Sequence, residues 1–344
     1  MVGMMRGVAL ACGFAAVLAT SAPAGAQSFD GKTITVYIGV GPGGGFDLYA
    51  RTLARHMGKH LPGNPTLVPK NVPGAGSIQL GNMLPETLPT DGTAIAALDN
   101  ALYMHQLLQS SPNIKFDAGQ FNWLGRLAGL PLLLMSWHTA PVKTTADVFT
   151  KEMTVGVPGA GAYSYLLLSA VKSVTGAKLK FISGYQSGAE VRLALERGEI
   201  DGTGSIQWTL MREQQKDWLV NKKVNLLIQL GLTSYPDLKE VPLVRDLVKD
   251  EEAKQILLVF LAPAEIGRAY TAPPGMAASI VKTLRTGFTA MTKDEAFLAD
   301  AQKQSLEIDP MNGEELQALI KSIGAIPPAT LAHAKQVMEQ AEKK

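Results

Sequence analysis

The stretch TITVYIGVGPGGGFDLYARTLARHMGKH, residues 33–60, places a strand, a glycine-rich turn and a helix in direct succession. Residues 33–40 are nearly all β-branched, aliphatic or aromatic, which predicts a buried strand. Asp47 follows the glycines at the helix start, where a carboxylate can accept unpaired amide hydrogens and is favoured by the helix dipole. The helix itself is predicted because apolar side chains recur every three or four residues and form one stripe. That stripe consists of Phe46, Tyr49, Leu53, Met57 and Leu61.

The remainder of the chain alternates short apolar runs with helical stretches, which indicates an α/β fold with mostly parallel sheets. Two apolar runs, residues 130–137 and 256–262, are too short to span a membrane and are predicted to be buried strands. Residues 279–344 are predicted to be mostly helical, with breaks near Pro310 and Pro327. The chain length of 344 residues favours two domains. Further strands are predicted at residues 66–68, 93–98, 154–157, 179–183 and 224–230.

The first 26 residues have the pattern of a secretory signal peptide. Arg6 precedes an apolar run over residues 7–19, and the small residues Ala24-Gly25-Ala26 follow it. We therefore expect export, with cleavage after Ala26. An uncleaved membrane anchor and a lipid-modified Cys12 stay open as alternatives. Cys12 is the one cysteine of the chain, so residues 27–344 contain no thiol and can form no disulfide.

Three glycine-containing turns each follow an extended segment and precede a helix: residues 41–45, 73–77 and 158–162. Glycine permits positive φ angles and lets a ligand approach the backbone amides closely. The helix that follows presents free N–H groups and partial positive charge, so such a turn can bind an anion without an arginine. Ordinary strand-to-helix turns are the alternative for any one of the three. Ligands of open α/β sheets lie beyond the carboxyl ends of the strands, so three such turns together favour a small-anion site.

Other classes of site fit the sequence poorly. Residues 39–44 match the dinucleotide fingerprint G-x-G-x-x-G, but no acidic residue lies about 20 positions further on and no Walker lysine follows the glycines. The formal net charge is +2 without a basic block, which disfavours nucleic acid as a partner. His56 and His60 are four residues apart on the predicted helix, and a solvated helix face explains them better than a metal site. No cofactor or metal is expected, and no catalytic motif supports an enzyme.

Short motifs in a fixed order resemble the tripartite tricarboxylate transporter receptor family, also called Bug-type periplasmic solute-binding proteins. The two most specific are Pro42-Gly43-Gly44-Gly45-Phe46-Asp47, followed by Ala50-Arg51, and Asn71-Val72-Pro73-Gly74-Ala75-Gly76. Two departures matter, because Phe46 replaces a small hydroxyl residue of the family and Ser187 replaces a glycine. Supporting motifs follow along nearly the whole mature chain: Asp91-Gly92-Thr93, Gly159-Ala160-Gly161-Ala162, Tyr185-Gln186-Ser187-Gly188-Ala189, Gly198-Glu199-Ile200-Asp201 and Ala272-Pro273-Pro274-Gly275.

The resemblance implies a type II periplasmic-binding-protein fold, in which two α/β domains joined by crossover strands close over a ligand in the cleft between them. We place the first domain at residues 27–131 and 261–344 and the second at residues 132–260, with crossings near Leu130–Leu134 and Val259–Ala262. The resemblance also implies that loop amides, hydroxyls and water hold the ligand. Together, the turns, the predicted strand ends and the family motifs give these expected ligand-binding residues: Gly43, Gly44, Gly45, Phe46, Ala75, Gly76, Ser77, Asn100, Gly159, Ala160, Gly161, Ala162, Tyr163, Ser164, Tyr185 and Ser205.

The expected function is that of a monomeric periplasmic receptor. It would capture a small organic carboxylate and deliver it to membrane subunits of a tripartite tricarboxylate-type transporter. Phe46 puts citrate and simple dicarboxylates in doubt, because its ring could stack on an aromatic or apolar ligand or could turn into the core. A sensor that presents the carboxylate to a membrane kinase is one alternative, and an exported hydrolase is another.

Overall fold

The computed structural model of the protein describes residues 28–43, 45–108, 112–157, 162–185 and 188–342. The predicted signal peptide and its cleavage site lie outside the described residues. Within these ranges, no helix is long and apolar enough to cross a membrane. The strands form two separate sheets, one of six strands and one of five.

The elements follow one another in three groups. The six-stranded sheet with the helices packed on it is called the first unit, and the five-stranded sheet with its helices is called the second unit. Before the first crossing between the sheets come β1 (Thr33–Ile38), α1 (Gly45–His56), β2 (Thr66–Asn71), α2 (Ile78–Glu86), β3 (Ala94–Ala97), α3 (Leu102–Leu108) and β4 (Asn122–Arg126). The second sheet is built from β5 (Leu132–Trp137), α4 (Asp147–Thr150), β6 (Met153–Gly156), α5 (Tyr163–Thr175), β7 (Leu179–Ile182), α6 (Gly188–Glu196), β8 (Gly202–Gln207), α7 (Trp208–Gln214), α8 (Lys216–Val220) and β9 (Val224–Leu230). The chain then continues through α9 (Glu251–Ile266), β10 (Ala269–Ala272), α10 (Ala278–Met291), α11 (Glu295–Lys303), β11 (Met311–Asn312), α12 (Gly313–Gly324) and α13 (Pro328–Glu342).

Both sheets are mixed. The first has the order β11-β4-β10-β3-β1-β2 and the second the order β7-β6-β8-β5-β9. Around β1 and around β6 the pairs are parallel. Strand β5 is the first strand after the chain passes to the second sheet, and β10 is the first after it returns. Both are antiparallel to their two neighbours, and β11 is antiparallel to β4. The prediction of mostly parallel sheets is therefore wrong for these strands, which are not joined to their neighbours by the helical crossover that parallel pairing requires.

The predicted crossover strand at Val259–Ala262 is wrong, because these residues belong to the 16-residue helix α9. Asp250 caps the helix by accepting a hydrogen bond from the Ala253 amide at 2.8 Å. Every residue from Val259 to Ile266 is buried, so the run lacks the polar face that marks a surface helix. A short window that is apolar all round cannot distinguish a buried helix from a buried strand. The proposed domain boundary at residues 260–261 falls inside this helix.

The core is continuous across the two sheets. One large cluster of buried side chains includes residues of β3, β5 and β6 and of helices α3, α5, α9, α12 and α13. A second cluster lies between the first sheet and helices α1 and α10, and a third covers the outer face of the second sheet. Helix α9 packs against α3 of the first unit and α5 of the second. Its burial on all sides therefore follows from its position between the two units.

Strand pairing fixes where the turns lie. Since β1, β2 and β3 are parallel, the turns that follow them emerge at one edge of the first sheet. The turns that follow β6, β7 and β8 emerge at one edge of the second sheet for the same reason. Both edges approach the C-terminal end of α9, as the side-chain contacts of Asn100 and Tyr163 below show. The fold thus brings the described turns after β1 and β2 and the start of α5 to the junction of the two units.

Candidate ligand-binding site

The first glycine turn is held by the buried carboxylate of Asp47. Its oxygens accept hydrogen bonds from the Gly43 amide at 2.9 Å, from Arg51 Nε at 2.9 Å and from Asn71 Nδ2 at 2.8 Å. Asn71 also donates to the carbonyl of Val40 at 3.0 Å and accepts from Arg51 Nη2 at 2.7 Å. The motif residues Asp47, Arg51 and Asn71 therefore form one network that fixes the backbone of the turn. Asp47 lies in the first turn of α1 as predicted, but it accepts from the preceding Gly43 amide and from side chains, so capping of the helix amides stays a prediction.

The network also sets the charge state of Asp47. Burial alone would raise the pKa of this carboxyl group. The hydrogen bonds from Arg51, Gly43 and Asn71 outweigh burial and lower the pKa of Asp47 to about 2. The carboxylate is therefore ionised at neutral pH, and it is paired within the protein instead of facing a ligand.

The second turn has an unusual backbone. Ala75, Gly76 and Ser77 have φ angles of 45°, 60° and 70°, and two of the three are not glycine. The Ser77 hydroxyl donates to the Gly39 carbonyl and accepts from the Asp99 amide, both at 2.9 Å, so it ties together the turns after β1, β2 and β3. Ala75 and Gly76 are exposed, and their amides have no acceptor within the described part of the chain. Successive free amides in such a turn form a concave anion site.

Two predicted residues contact α9 from opposite units. Asn100, just beyond β3, donates from Nδ2 to the Pro263 carbonyl at 2.6 Å. Tyr163, the first residue of α5, donates from its hydroxyl to the Phe260 carbonyl at 2.9 Å. Burial raises the pKa of the Tyr163 phenol. These donors bind the protein itself, so they connect the two units through α9.

The other predicted residues of the second unit form a separate group. Ser205 of β8 donates to the buried hydroxyl of Ser164, in the first turn of α5, at 3.0 Å. Tyr185 is half-buried, and burial raises its pKa. Ala162 is half-buried at the N-cap of α5. Gly44, Gly159, Ala160 and Gly161 lie outside the described residues.

Two crossing segments run side by side between the sheets. The Leu127 amide donates to the Arg268 carbonyl at 3.0 Å, the Arg268 amide to Ala128 at 2.9 Å and the Leu130 amide to Ala264 at 2.7 Å. Gly267 has a φ of 54°, and a Cβ atom there would overlap the Ala128 carbonyl oxygen. This position therefore requires glycine, which lets the two segments lie in contact as a paired hinge.

A buried ion pair lies beside the hinge. Arg126 at the end of β4 and Glu265 in α9 are 5% and 3% exposed, and their Nη1 and Oε2 atoms are 2.7 Å apart. The other oxygen of Glu265 accepts from the Leu232 and Thr233 amides at 2.9 and 3.2 Å. Asp309 contacts Arg126 Nη2 at 3.1 Å from a largely exposed position. Glu265 thus links the first sheet to the loop that follows β9 in the second.

Arg268, which follows the hinge glycine, has a different environment. Its guanidinium carbon lies 3.9 Å from the centre of the Phe46 ring and 5.5 Å from that of Tyr49. Phe46 is half-buried and belongs to none of the core clusters, so it faces neither core nor open solvent and instead stacks on Arg268. Of the two alternatives left open for Phe46, the structure contradicts the core position, and a contact with the ligand stays a prediction.

A cavity of about 650 Å³ extends from Arg268 between the two units. The first unit contributes Tyr49, Leu306 and Glu307, and the second contributes Gln207, Thr209 and Arg212. Among the described residues, none of the predicted ligand-binding residues lines this cavity; Gly45 and Phe46 adjoin it through their contacts with Arg268. Sequence analysis missed Arg268, although a signal was available. Between residues 255 and 281, Glu265 and Arg268 are the only charged residues.

The two histidines have a structural role, His56 as the last residue of α1 and His60 in the short 3₁₀ helix Gly58–His60 that follows it. His56 Nε2 is 2.8 Å from Asp300 of α11, and His60 Nε2 is 3.3 Å from Asp294 just before it. The two histidine side chains are only 15% and 18% exposed, so the predicted solvated face is wrong. Helix α11 covers this face of α1, which sequence spacing alone does not reveal. Among the described residues, no cluster of His, Cys, Asp and Glu could hold a metal ion.

Comparison with known proteins identifies relatives of the chain. No protein-family profile matches it. It is 29% identical over 201 residues to a UPF0065 protein from the gbd 5′ region of Cupriavidus necator, which covers 56% of this chain and 59% of that protein. It is 22% identical over 313 residues to a UPF0065 protein of Bordetella pertussis, covering 89% and 90%. The chain therefore matches less than two thirds of the length of the first relative and most of the second.

Solved structures show the same fold. A TctC solute binding protein from Polaromonas superposes with a TM-score of 0.71 at 20% identity, covering 91% of this chain and 100% of that chain. The periplasmic binding protein BugD superposes with a TM-score of 0.53 at 19% identity, covering 90% and 97%. The chain shares the fold of these binding proteins. MatC from Rhodopseudomonas palustris, a structure with bound malate, has a TM-score of 0.54 at 16% identity, covering 89% and 98%. The predicted two-domain α/β binding-protein fold is confirmed.

Proposed function

We propose that this protein is a Bug-type periplasmic receptor that captures a small organic carboxylate between its two units. The observation that carries the proposal is the interdomain cavity lined by Arg268, whose guanidinium has no ion-pair partner within the described residues and lies against Gly45 and Phe46 at the start of α1. Its volume, about 650 Å³, suits a small-molecule ligand. Two structural neighbours from R. palustris, one with malate and one with adipate, support carboxylate as the ligand class.

Binding would use groups that the protein leaves available. The first turn of α1, next to Arg268, and the exposed amides of Ala75 and Gly76, which lie outside the cavity lining, would offer N–H donors to a carboxylate in the closed cleft. Residues from the second unit, including Tyr185 and the turn before α5, would approach from the opposite side. Closure about the paired segments at Ala128 and Gly267 would exclude water, which strengthens each hydrogen bond to the anion. Residues 27–131 with 261–344, and residues 132–260, are proposed as the two closing domains, except that the second crossing lies at Gly267, after α9, and not within this helix.

The proposed cellular role follows from the proposed receptor function. The chain would be exported, cleaved after Ala26 and function as a monomer in the periplasm. The closed, loaded form would then be recognised by membrane subunits of a tripartite tricarboxylate-type transporter. Binding without chemical conversion of the ligand is expected.

A ligand panel tests the proposal. The purified mature protein is unfolded and refolded to remove bound ligand, and its melting temperature is measured with acetate, hexanoate, benzoate, malate, adipate and citrate. At least one carboxylate is expected to raise the melting temperature in a concentration-dependent way, because a ligand that binds only the folded state stabilises it. NMR spectra of the ligand before and after incubation should be identical. The absence of any shift across the panel would overturn the proposed function, and turnover of the ligand would indicate an enzyme.

A further inference from the structure

Arg268 carries a charge that the protein does not neutralise. No carboxylate forms an ion pair with its guanidinium within the described residues, and its buried Nε atom has no hydrogen-bond partner. Asp99 acts on it only through its electric field, without contact. Burial lowers the pKa of Arg268, which shows that the side chain has lost water without gaining an acid. An uncompensated, partly desolvated charge is costly unless another partner supplies the missing hydrogen bonds.

The surroundings of Arg268 favour binding in the plane of the guanidinium. A Cβ atom at Gly45 would lie 2.8 Å from Arg268 Nη2, so the absence of a side chain there is what admits the arginine. The Phe46 ring covers one face of the guanidinium at 3.9 Å. Because that face is covered, a carboxylate would approach in the plane of the guanidinium. There, two N–H groups can bind both oxygens of one carboxylate.

The cavity walls restrict the rest of the ligand. Arg212, the second arginine of the lining, is already paired with Asp237 at 2.9 Å. Glu307 also lines the cavity and would repel a second carboxylate. Tyr49, Leu306 and Ile308 provide apolar surface between these charged groups. The described lining therefore offers one arginine without an ion-pair partner, an apolar surface beside it and one acid that disfavours a second carboxylate.

We propose that Arg268 is the specificity-determining residue of the cleft. Its in-plane N–H groups bind the carboxylate of a monocarboxylate whose remaining part is uncharged and packs on Tyr49 and Leu306. This inference rests on the proposed function and refines it, because it names the charge partner and the ligand class. It also accounts for Phe46, the residue in which this chain departs from its family motif, as the support that orients the guanidinium.

Calorimetric titration with hexanoate and adipate tests the ligand class, since the two acids have the same number of carbons and differ by one carboxylate. The wild-type protein is expected to bind hexanoate more tightly than adipate. Arg268→Gln should weaken hexanoate binding at least about tenfold, because the charged bidentate contact is lost. The matched control, Arg55→Gln, removes an exposed arginine of α1 that pairs with Asp300, and it should change affinity less than about twofold.

Two further variants make the result decisive. Arg268→Lys keeps the charge but loses the planar fork of N–H donors, so it should weaken hexanoate binding at least about threefold. This variant still tests the inference if Arg268→Gln does not fold. Gly45→Ala should weaken binding through displacement of Arg268 while Phe46 stays in place. Unchanged affinity in the Arg268 variants, or tighter binding of adipate than of hexanoate, would overturn this inference and leave the proposed function intact. Failure of every carboxylate in the panel to bind the wild type would overturn both.

Discussion

Arg126 and Arg268 lie on the two segments that connect the sheets, yet their surroundings are opposite. Arg126 is 5% exposed and contacts two carboxylates, Glu265 at 2.7 Å and Asp309 at 3.1 Å. Arg268 contacts no carboxylate within the described residues and lies against the rings of Phe46 and Tyr49 beside a cavity. The first arrangement neutralises a buried charge inside the fold. The second leaves a charge available to a ligand.

The difference teaches how to separate structural from functional arginines in one region of a protein. A buried charge must be paired to be tolerated, and removal of its partner is strongly destabilising. A charge kept without a partner lowers stability, and proteins retain such strain where function needs it. The same substitution at the two positions should therefore have unlike effects on stability and on binding.

The largest effect is expected from Arg126→Met. It removes the guanidinium and leaves Glu265 buried without its ion-pair partner, which should lower the free energy of unfolding by about 3–5 kcal/mol. Urea denaturation followed by far-UV circular dichroism measures the change. A loss below about 1 kcal/mol would mean that the amides of Leu232 and Thr233 alone satisfy Glu265, and that the pair contributes little.

Asp47→Asn tests a third charged group, the carboxylate that accepts the hydrogen bonds of the network holding the first glycine turn. The folded pKa of about 2 lies below the reference value of 3.8, so ionised Asp47 stabilises the fold by about 2 kcal/mol at neutral pH. This contribution is fully present above a pH of about 4 and is lost as the pH falls through about 2. Wild type and variant should therefore differ at pH 7 and converge near pH 2, as measured by urea denaturation. A difference that is independent of pH would contradict the paired carboxylate.

Asp309→Asn should have a small effect on stability. Its side chain is 60% exposed, so its contact with Arg126 is solvated and should contribute less than about 1 kcal/mol. Comparison with Arg126→Met then assigns the stabilisation of Arg126 to Glu265. If Asp309→Asn lowered the free energy of unfolding as much as Arg126→Met does, the acid that stabilises Arg126 would be Asp309 and not Glu265.

The smallest change in stability is expected from Arg268→Met. No acid loses its partner, and a desolvated charge is replaced by an apolar side chain, so the free energy of unfolding should stay within about 1 kcal/mol of the wild type or rise. Carboxylate binding should nevertheless be lost. A strong loss of stability would show that Arg268 supports the fold and would remove the contrast with Arg126.

Part of the site could be predicted from local sequence. The apolar run that ends at Ile38, the glycines and the stripe of α1 gave the first strand, turn and helix, and Asp47 lies in the first turn of that helix as predicted. These predictions succeeded because each depends on residues within a few positions of one another. Predictions about individual ligand contacts were harder, because Ser77, Asn100 and Tyr163 have side chains that bind backbone groups far away in sequence.

The sequence by itself determined the α/β class, the glycine turns and the family motifs, because periodicity and backbone freedom are local properties. Tertiary structure decided that the apolar run at Val259–Ala262 is a helix, because its burial between the two units removes any polar face. It also decided the contacts of Glu265 and Arg268, which are three residues apart and would pair with each other on a continuous helix. Gly267 ends the helix between them, so Glu265 turns to Arg126 and Arg268 turns to Phe46 and the cavity.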